Sequence, residues 1–294
     1  MICYPNAKIN LGLNVTERRA DGYHNLETVF YPIPVCDILK IETQEENRTE
    51  PADHIFPEDC SVRTYRTTDY TLHTGGITID CPPEKNLLIK ALRALQRDFS
   101  LPHLHIYMYK QIPSGAGLGG GSSDAAYMMT CLNRKFSLGL TDDELEHRVS
   151  TLGADCAFFI RNRPVFATGI GNILTPSNLS LSGWHLALAK PDIFVSTKEA
   201  YAQIRPRHPH ISVTDILRHP VEEWKDILTN DFEEGIFAFH PEIADIKKRM
   251  YDCGAAYASM SGSGSSVFGL FRNEPDKEAM RKLFSGCFYY QGTI

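Results

Sequence analysis

No long basic run and no long apolar run occur in these 294 residues. Lysine plus arginine (30) fall short of aspartate plus glutamate (36), which leaves a net charge of −6. Whole-chain attraction to nucleic acid or to an anionic membrane surface is therefore not expected. No apolar stretch reaches the ~18 residues of a bilayer-spanning helix. No basic segment followed by an apolar one stands at the N-terminus, so no secretory signal is expected. Cysteine is present but unpatterned: the eight, at positions 3, 36, 60, 81, 131, 156, 253 and 287, include no Cys-x-x-Cys pair. A chain of this length needs no disulfide framework, and reduced thiols in a cytoplasm are the expectation. No internal repeat is present, and nothing in the composition speaks to oligomeric state.

What the chain does have is glycine in one place. The run Pro113-Ser114-Gly115-Ala116-Gly117-Leu118-Gly119-Gly120-Gly121-Ser122-Ser123 follows an alternating segment, Leu104–Tyr109, that reads as a strand, and precedes Ala125–Leu132, which reads as a helix. Glycine lets the backbone bend sharply and approach a ligand closely. The first N–H groups of a helix lack partners and sit at the positive end of its dipole, so they receive anions. With the hydroxyls of Ser122 and Ser123, this is a phosphate cradle. A flexible linker is the bland alternative, but linkers seldom join a clear strand to a clear helix. The P-loop pattern fails because no lysine follows the glycines. Gly115, Gly117 and Gly120 satisfy G-x-G-x-x-G, yet no strand bearing an acidic residue about 20 positions on follows, as a dinucleotide fold requires.

Elsewhere strands and helices are mixed without strict alternation, so the class is α+β. Residues 7–15 alternate, with Ala7, Ile9, Leu11, Leu13 and Val15 on one face, and predict a half-buried strand. Asp21-Gly22 marks a turn, and 26–41 reads as one or two strands. The polar stretch Gln44–Thr74 reads as an irregular insertion or a surface hairpin. Leu88, Ala91, Leu92, Leu95 and Phe99 are spaced as on a helix. Thr141 and Glu144 form a capping box. A short helix over 154–160 is expected to hold Asp155 near its start, and 165–174 to form a hairpin. A second half begins near Trp184, with a buried strand at 186–189. Helices follow near 213–217, 221–239 and 241–252, the last closed by Gly254. Two strands then flank Ser261-Gly262-Ser263-Gly264-Ser265-Ser266.

Three segments in order, Pro5-Asn6-Ala7-Lys8-Ile9-Asn10-Leu11, the central glycine-serine loop and Ser261–Ser265, resemble the three motifs of the GHMP kinases, which phosphorylate small alcohols with ATP. Arg19-Ala20-Asp21-Gly22-Tyr23-His24 and Leu152-Gly153-Ala154-Asp155 are similar to those members whose substrate carries a cytidyl group. The resemblance covers nearly the whole chain apart from Gln44–Thr74. It implies two α+β domains, an ATP-binding half over 1–164 and a C-terminal half over 165–294, with the active site in the cleft between them. By the same resemblance Lys8 and Asp155 are catalytic. Asn86, Leu87, Lys110, Pro113, Gly115, Gly117, Leu118, Gly119, Gly120, Gly121, Ser122 and Ser123 bind ATP, expected as its Mg2+ complex. Asn10, Tyr23, His24, Thr197, Tyr201, Gly262 and Ser263 bind the small-molecule cytidyl substrate. No metal ligand is named by the motifs.

The chemistry agrees with these types. Phosphoryl transfer passes through a loose transition state, so positioning and charge stabilisation do most of the work. A carboxylate accepts the hydroxyl proton late in the reaction, and a neighbouring ammonium offsets developing negative charge. Lys8 and Asn10 stand two apart on a strand and point the same way. Tyrosine stacks on a base and histidine bonds its polar edge. Taken singly, Lys8 is equally a solvated strand lysine, Asp155 a helix cap, Lys110 a strand-end lysine, and Tyr23 and His24 two turn residues. Cys156-Ala157-Phe158 departs from the family, which usually has a proline there. His103 and His105 share a strand face but have no partner at a metal-binding interval, and read as exposed strand histidines. Two further functions stay open: another small-alcohol kinase of the superfamily, and a non-catalytic nucleotide-binding protein on the same fold.

Overall fold

The structure, a computed structural model, describes residues 1–49, 55–79 and 81–294. The chain forms two compact units, each assembled from separated segments. One holds Met1–Ala7, Val35–Ser114 and Gly119–Asn162; the other holds Lys8–Pro34, Gly115–Leu118 and Arg163–Ile294. The halves 1–164 and 165–294 are thus a different partition from the compact units.

Among the described residues, the sheet of the first unit has five strands in the order Ile2–Cys3, Ile38–Thr43, Leu104–Lys110, Tyr70–Gly76 and Arg63–Arg66. All neighbours are antiparallel except Tyr70–Gly76 and Leu104–Lys110, which are parallel. A parallel pair needs a crossover connection, and here it includes helix Leu87–Gln96. That helix starts at Asn86, whose side chain accepts from the Leu88 N–H at 3.0 Å. It buries Leu88, Ala91, Leu92 and Leu95 of the expected stripe together with Ile89, ends before Phe99, which is half-buried beyond it, and packs against helix Gly120–Lys135. Within Gln44–Thr74, Glu46–Thr49 is helical, and Arg63–Arg66 pairs with Tyr70–Gly76 as a hairpin; residues 50–54 of that stretch lie outside the described residues.

The second unit has two four-stranded sheets. One runs Asn6–Arg18, His24–Cys36, Val165–Thr168 and Ile173–Pro176; the other runs Tyr257–Met260, Val267–Phe271, His185–Lys190 and Phe288–Thr293. Its core gathers Leu13, Val15, Phe232, Ile246, Met250 and Phe271.

Three expectations are corrected. The first long strand is not half-buried: every residue from Asn6 to Thr16 is buried, so its polar face also meets protein. The 221–239 helix is broken into Val221–Asp226 and Phe232–Phe239, because Asn230 turns its side chain onto the Phe232 N–H (3.0 Å) instead of continuing the helix. Asp155 precedes helix Phe158–Arg161, in a turn over 154–157.

The capping box is formed on both sides: the Glu144 N–H donates to Thr141 Oγ1 (3.3 Å), and the Thr141 N–H donates to Glu144 Oε2 (2.8 Å). Replacing Thr141→Ala should lower unfolding stability by about 1 kcal/mol in urea titration, leaving steady-state constants unchanged.

Candidate active site

In the second unit the buried polar face of strand Asn6–Arg18 organises the site. Lys8 and Asn10 are each 3% exposed. Lys8 Nζ donates to Asn10 Oδ1 at 2.6 Å and stands 4.7 Å from the centre of the Phe30 ring. Asn10 Nδ2 donates to Thr28 Oγ1 at 3.1 Å, and the Thr28 hydroxyl donates in turn to the Gly12 carbonyl. The same strand is tied to both loops. The Lys8 N–H donates to the Leu118 carbonyl (3.0 Å), the Asn10 N–H to Ser261 Oγ (3.3 Å), and Ser261 Oγ to the Gly117 carbonyl (2.9 Å). Lys8, Asn10, Gly117, Leu118, Gly262 and their neighbours therefore lie together.

Glycine is required where the loops cross. Gly117 has φ +73°, and a Cβ there would stand 1.9 Å from the Ser261 carbonyl oxygen. A Cβ on Gly262 would stand 3.2 Å from Asn10 Oδ1. Ser263 is half-buried beside it.

In the first unit, Gly119 (φ 70°) begins helix Gly120–Lys135, and no side chain caps that end. Its leading N–H groups are free for an anion. A Cβ at Gly120 would come within 2.8 Å of Ile112 Cγ2, whereas one at Gly121 would meet only Leu87 Cδ1, at 3.7 Å. Leu87 is thus a neighbour of the helix start, with Asn86 capping the helix just before it, and Pro113 is buried just before the loop. Ser122 interacts with the Cys156 thiol, whose pKa burial pushes up to about 11. Ser123 is buried, with a hydroxyl that has no hydrogen-bond partner among the described residues. Asp155 is half-buried, next to Cys156. The Lys110 ammonium is enclosed with Asp37 and Asp124.

The Arg19–His24 string is the connection between strands Asn6–Arg18 and His24–Cys36. The Arg19 guanidinium holds Asp21 below the usual carboxylate range, Asp21 Oδ1 accepts the Tyr23 N–H (3.1 Å), and the Arg19 N–H donates to the Tyr23 carbonyl (2.8 Å). This turn leaves the Tyr23 ring 61% exposed. The His24 ring stacks on Tyr201, centroids 4.8 Å apart and planes at 20°. Burial and then the Arg18 charge lower the His24 pKa, favouring the neutral ring. Thr197 opens helix Thr197–Ala202, exposed at its first position, with Tyr201 one turn on.

Sequence reasoning missed several residues here. Asn230 Nδ2 donates to the Met260 (2.8 Å) and Gly262 (2.9 Å) carbonyls and so shapes the third loop. Its signal was an Asn-Asp pair inside a helical pattern. Phe194, 71% exposed, lies where a Cβ on Gly115 would be 2.5 Å from its ring, and no local pattern marks it. Thr28 was hidden in an apolar run.

The comparisons with known proteins bear on this arrangement. The model for the GHMP kinases N terminal domain matches residues 86–163, and that for the GHMP kinases C terminal matches 212–287. The class defined by fold and loops is that of the GHMP kinases. A 4-diphosphocytidyl-2-C-methyl-D-erythritol kinase of Bacteroides fragilis is 52% identical over all of both chains. A crystal structure of 4-(cytidine 5'-diphospho)-2C-methyl-D-erythritol kinase aligns with TM-score 0.77 at 30% identity, covering 99% of this chain and 98% of that one. A homoserine kinase from Cytophaga hutchinsonii, 19% identical with TM-score 0.63 over 99% and 95%, shares the fold. The chain belongs to the 4-diphosphocytidyl-2-C-methyl-D-erythritol kinase family of the GHMP kinases.

The two glycines at 117 and 121 should separate fold from binding. Gly117→Ala is expected to lower the thermal midpoint, since positive φ alone costs roughly 1–2 kcal/mol and backbone blocks the new Cβ. Gly121→Ala should keep or raise that midpoint, because alanine is the better helix residue by roughly 1 kcal/mol. Its loss would appear only in ADP affinity by calorimetry.

Proposed function

We infer that this chain transfers the γ-phosphoryl group of ATP to the 2-hydroxyl of 4-diphosphocytidyl-2-C-methyl-D-erythritol, in the non-mevalonate route to isoprenoid precursors. The observation that carries the reading is the convergence of Lys8 and Asn10 with two glycine-serine loops on one buried strand, in a chain half-identical to enzymes of that name. Its setting is the cytoplasm, where ATP is plentiful. Residues 1–164 carry ATP binding and residues 165–294 complete the kinase.

In this reading the amides of Gly119–Ser122 and the turn at Gly115–Leu118 receive the ATP phosphates, and Asn86, Leu87, Pro113 and the Lys110 backbone line the adenine side. Asp155 accepts the proton of the attacking hydroxyl. Lys8, held by Asn10, offsets charge that grows on the transferred group. Asn10, Gly262 and Ser263 face the substrate phosphates, while Tyr23, His24, Thr197 and Tyr201 hold the cytidyl group. Among the described residues no group of three or more His, Cys, Asp or Glu side chains forms a metal cage. The buried, unpartnered Ser123 hydroxyl fits magnesium that arrives on ATP, with Ser122 and Ser123 as its protein contacts. Held there, magnesium would supply positive charge that offsets the charge of the ATP phosphates. A different small alcohol would leave the exposed Tyr23 and the His24–Tyr201 stack with no base to hold.

The test is ADP release with the cytidyl substrate beside homoserine, mevalonate and galactose. Turnover should be confined to the first and fall about a thousandfold in Asp155→Asn. Turnover of another alcohol would overturn the substrate assignment. The His24 pKa is lowered, so protonation is disfavoured in the folded site, and binding that needs the neutral ring is lost as pH falls through that depressed value. KM for the cytidyl substrate should be flat above neutrality and rise below the ordinary imidazole range. His24→Gln should abolish that rise.

A further inference from the structure

A buried ion triad stands against the start of the nucleotide helix. Lys110 closes strand Leu104–Lys110, Asp37 directly precedes strand Ile38–Thr43, and Asp124 lies in the second turn of helix Gly120–Lys135. They are 3%, 0% and 1% exposed. Lys110 Nζ donates to Asp124 Oδ2 at 2.6 Å and to Asp37 Oδ2. Asp37 Oδ1 accepts the Gln111 N–H at 2.6 Å and the Ile112 N–H at 2.9 Å. The ammonium stands 3.6 Å from where a Gly120 Cβ would be, and Ile112 fills the other side of that glycine.

Burying two carboxylates and one ammonium is costly, and an apolar cluster would usually serve stability as well. What the triad adds is direction. It ties the segment leading into the glycine loop (Lys110–Ile112) to the helix that leaves it (Asp124), through atoms of fixed geometry. Burial, and after the pull of Lys110 the Asp37 charge, raise the Asp124 pKa, while the two carboxylates outweigh burial at Lys110 and raise its pKa, so the ammonium stays charged and engaged. We propose that Lys110, Asp37 and Asp124 form a positioning group that sets the register of the phosphate-receiving amides of Gly120–Ser122, with the Lys110 ammonium turned to the two carboxylates and not to ATP. This rests on the reading of that helix start as the nucleotide site.

The test measures ADP binding by calorimetry together with KM for both substrates. Asp124→Ala should weaken ADP and raise KM for ATP about tenfold, with KM for the cytidyl substrate within about twofold. Asp124→Asn, which keeps an acceptor for Lys110 Nζ, should restore ADP affinity to within about threefold of wild type. Asp124→Ser reads the same constants if Asp124→Ala does not fold. If the ammonium served ATP directly, Lys110→Met would weaken ADP while Asp124→Ala, which frees the ammonium, would keep or tighten it; that result overturns the proposal. A lowered thermal midpoint with unchanged ADP affinity, the mark of a purely structural triad, also overturns it. Wild-type protein that fails to bind ADP would overturn the nucleotide reading itself, and this proposal with it.

Discussion

A strand whose polar face is buried must have its polar atoms answered one by one, and the second unit is arranged around that demand. From Asn6 to Thr16 every residue is buried, and an unpaired buried amide or ammonium costs several kcal/mol. The answers come from far along the chain. Thr28 takes the Asn10 amide, Ser261 takes the Asn10 backbone N–H, and Leu118 takes that of Lys8. Two loops separated by more than a hundred residues are thereby drawn to one strand. Only glycine permits the closest crossing, since the Ser261 carbonyl occupies the space of a Gly117 side chain.

The proposed phosphate site in the first unit shows the same economy of side chains. The glycine loop holds no lysine, and the nearby lysine, Lys110, is spoken for by Asp37 and Asp124. Under the proposed reading, the attraction for a polyphosphate at this helix start falls to backbone amides, the helix dipole and the serine hydroxyls, with no lysine. Fixed dipoles need no reorganisation as charge shifts during transfer, which suits a reaction governed by positioning. The price is that the amides must be aimed by their supports.

Local chemistry made some of this legible. The capping box at Thr141 and Glu144, the Asp21-Gly22 turn, the apolar stripe of Leu87–Gln96 and the glycine loop leading into a helix all depend on neighbours a few residues apart, and all appear in the structure. The misses share one cause. Burial of both faces of Asn6–Thr16, the break at Asn230, and the engagement of Lys110 with Asp37, 73 residues away, are set by tertiary partners. The helix expected around Asp155 begins later, leaving the carboxylate on a turn. The segment's helical pattern was correct, but its first residues follow the bonds of the turn over 154–157.

The break at Asn230 joins two regions far apart in the chain. Had the helix continued, Asn230 would have spent its groups on solvent and its own backbone. Displaced from it, the side chain grips the Met260 and Gly262 carbonyls and presents its oxygen to the Phe232 N–H. Phe232, at the start of the resumed helix, meets Tyr201 edge-on with centroids 4.9 Å apart, and Tyr201 carries His24 on its face. One asparagine thus links the Ser261–Ser266 loop to the His24–Tyr201 aromatic stack. The turn that supplies Tyr23 and His24 is held by an exposed Arg19–Asp21 pair, an interaction of small worth, so it can vary without disturbing the buried strand. The buried strand and its crossing loops are bound at many points, whereas the exposed turn is held by few, and under the proposed reading that turn is where a fold shared by kinases of different alcohols has room to specify its own.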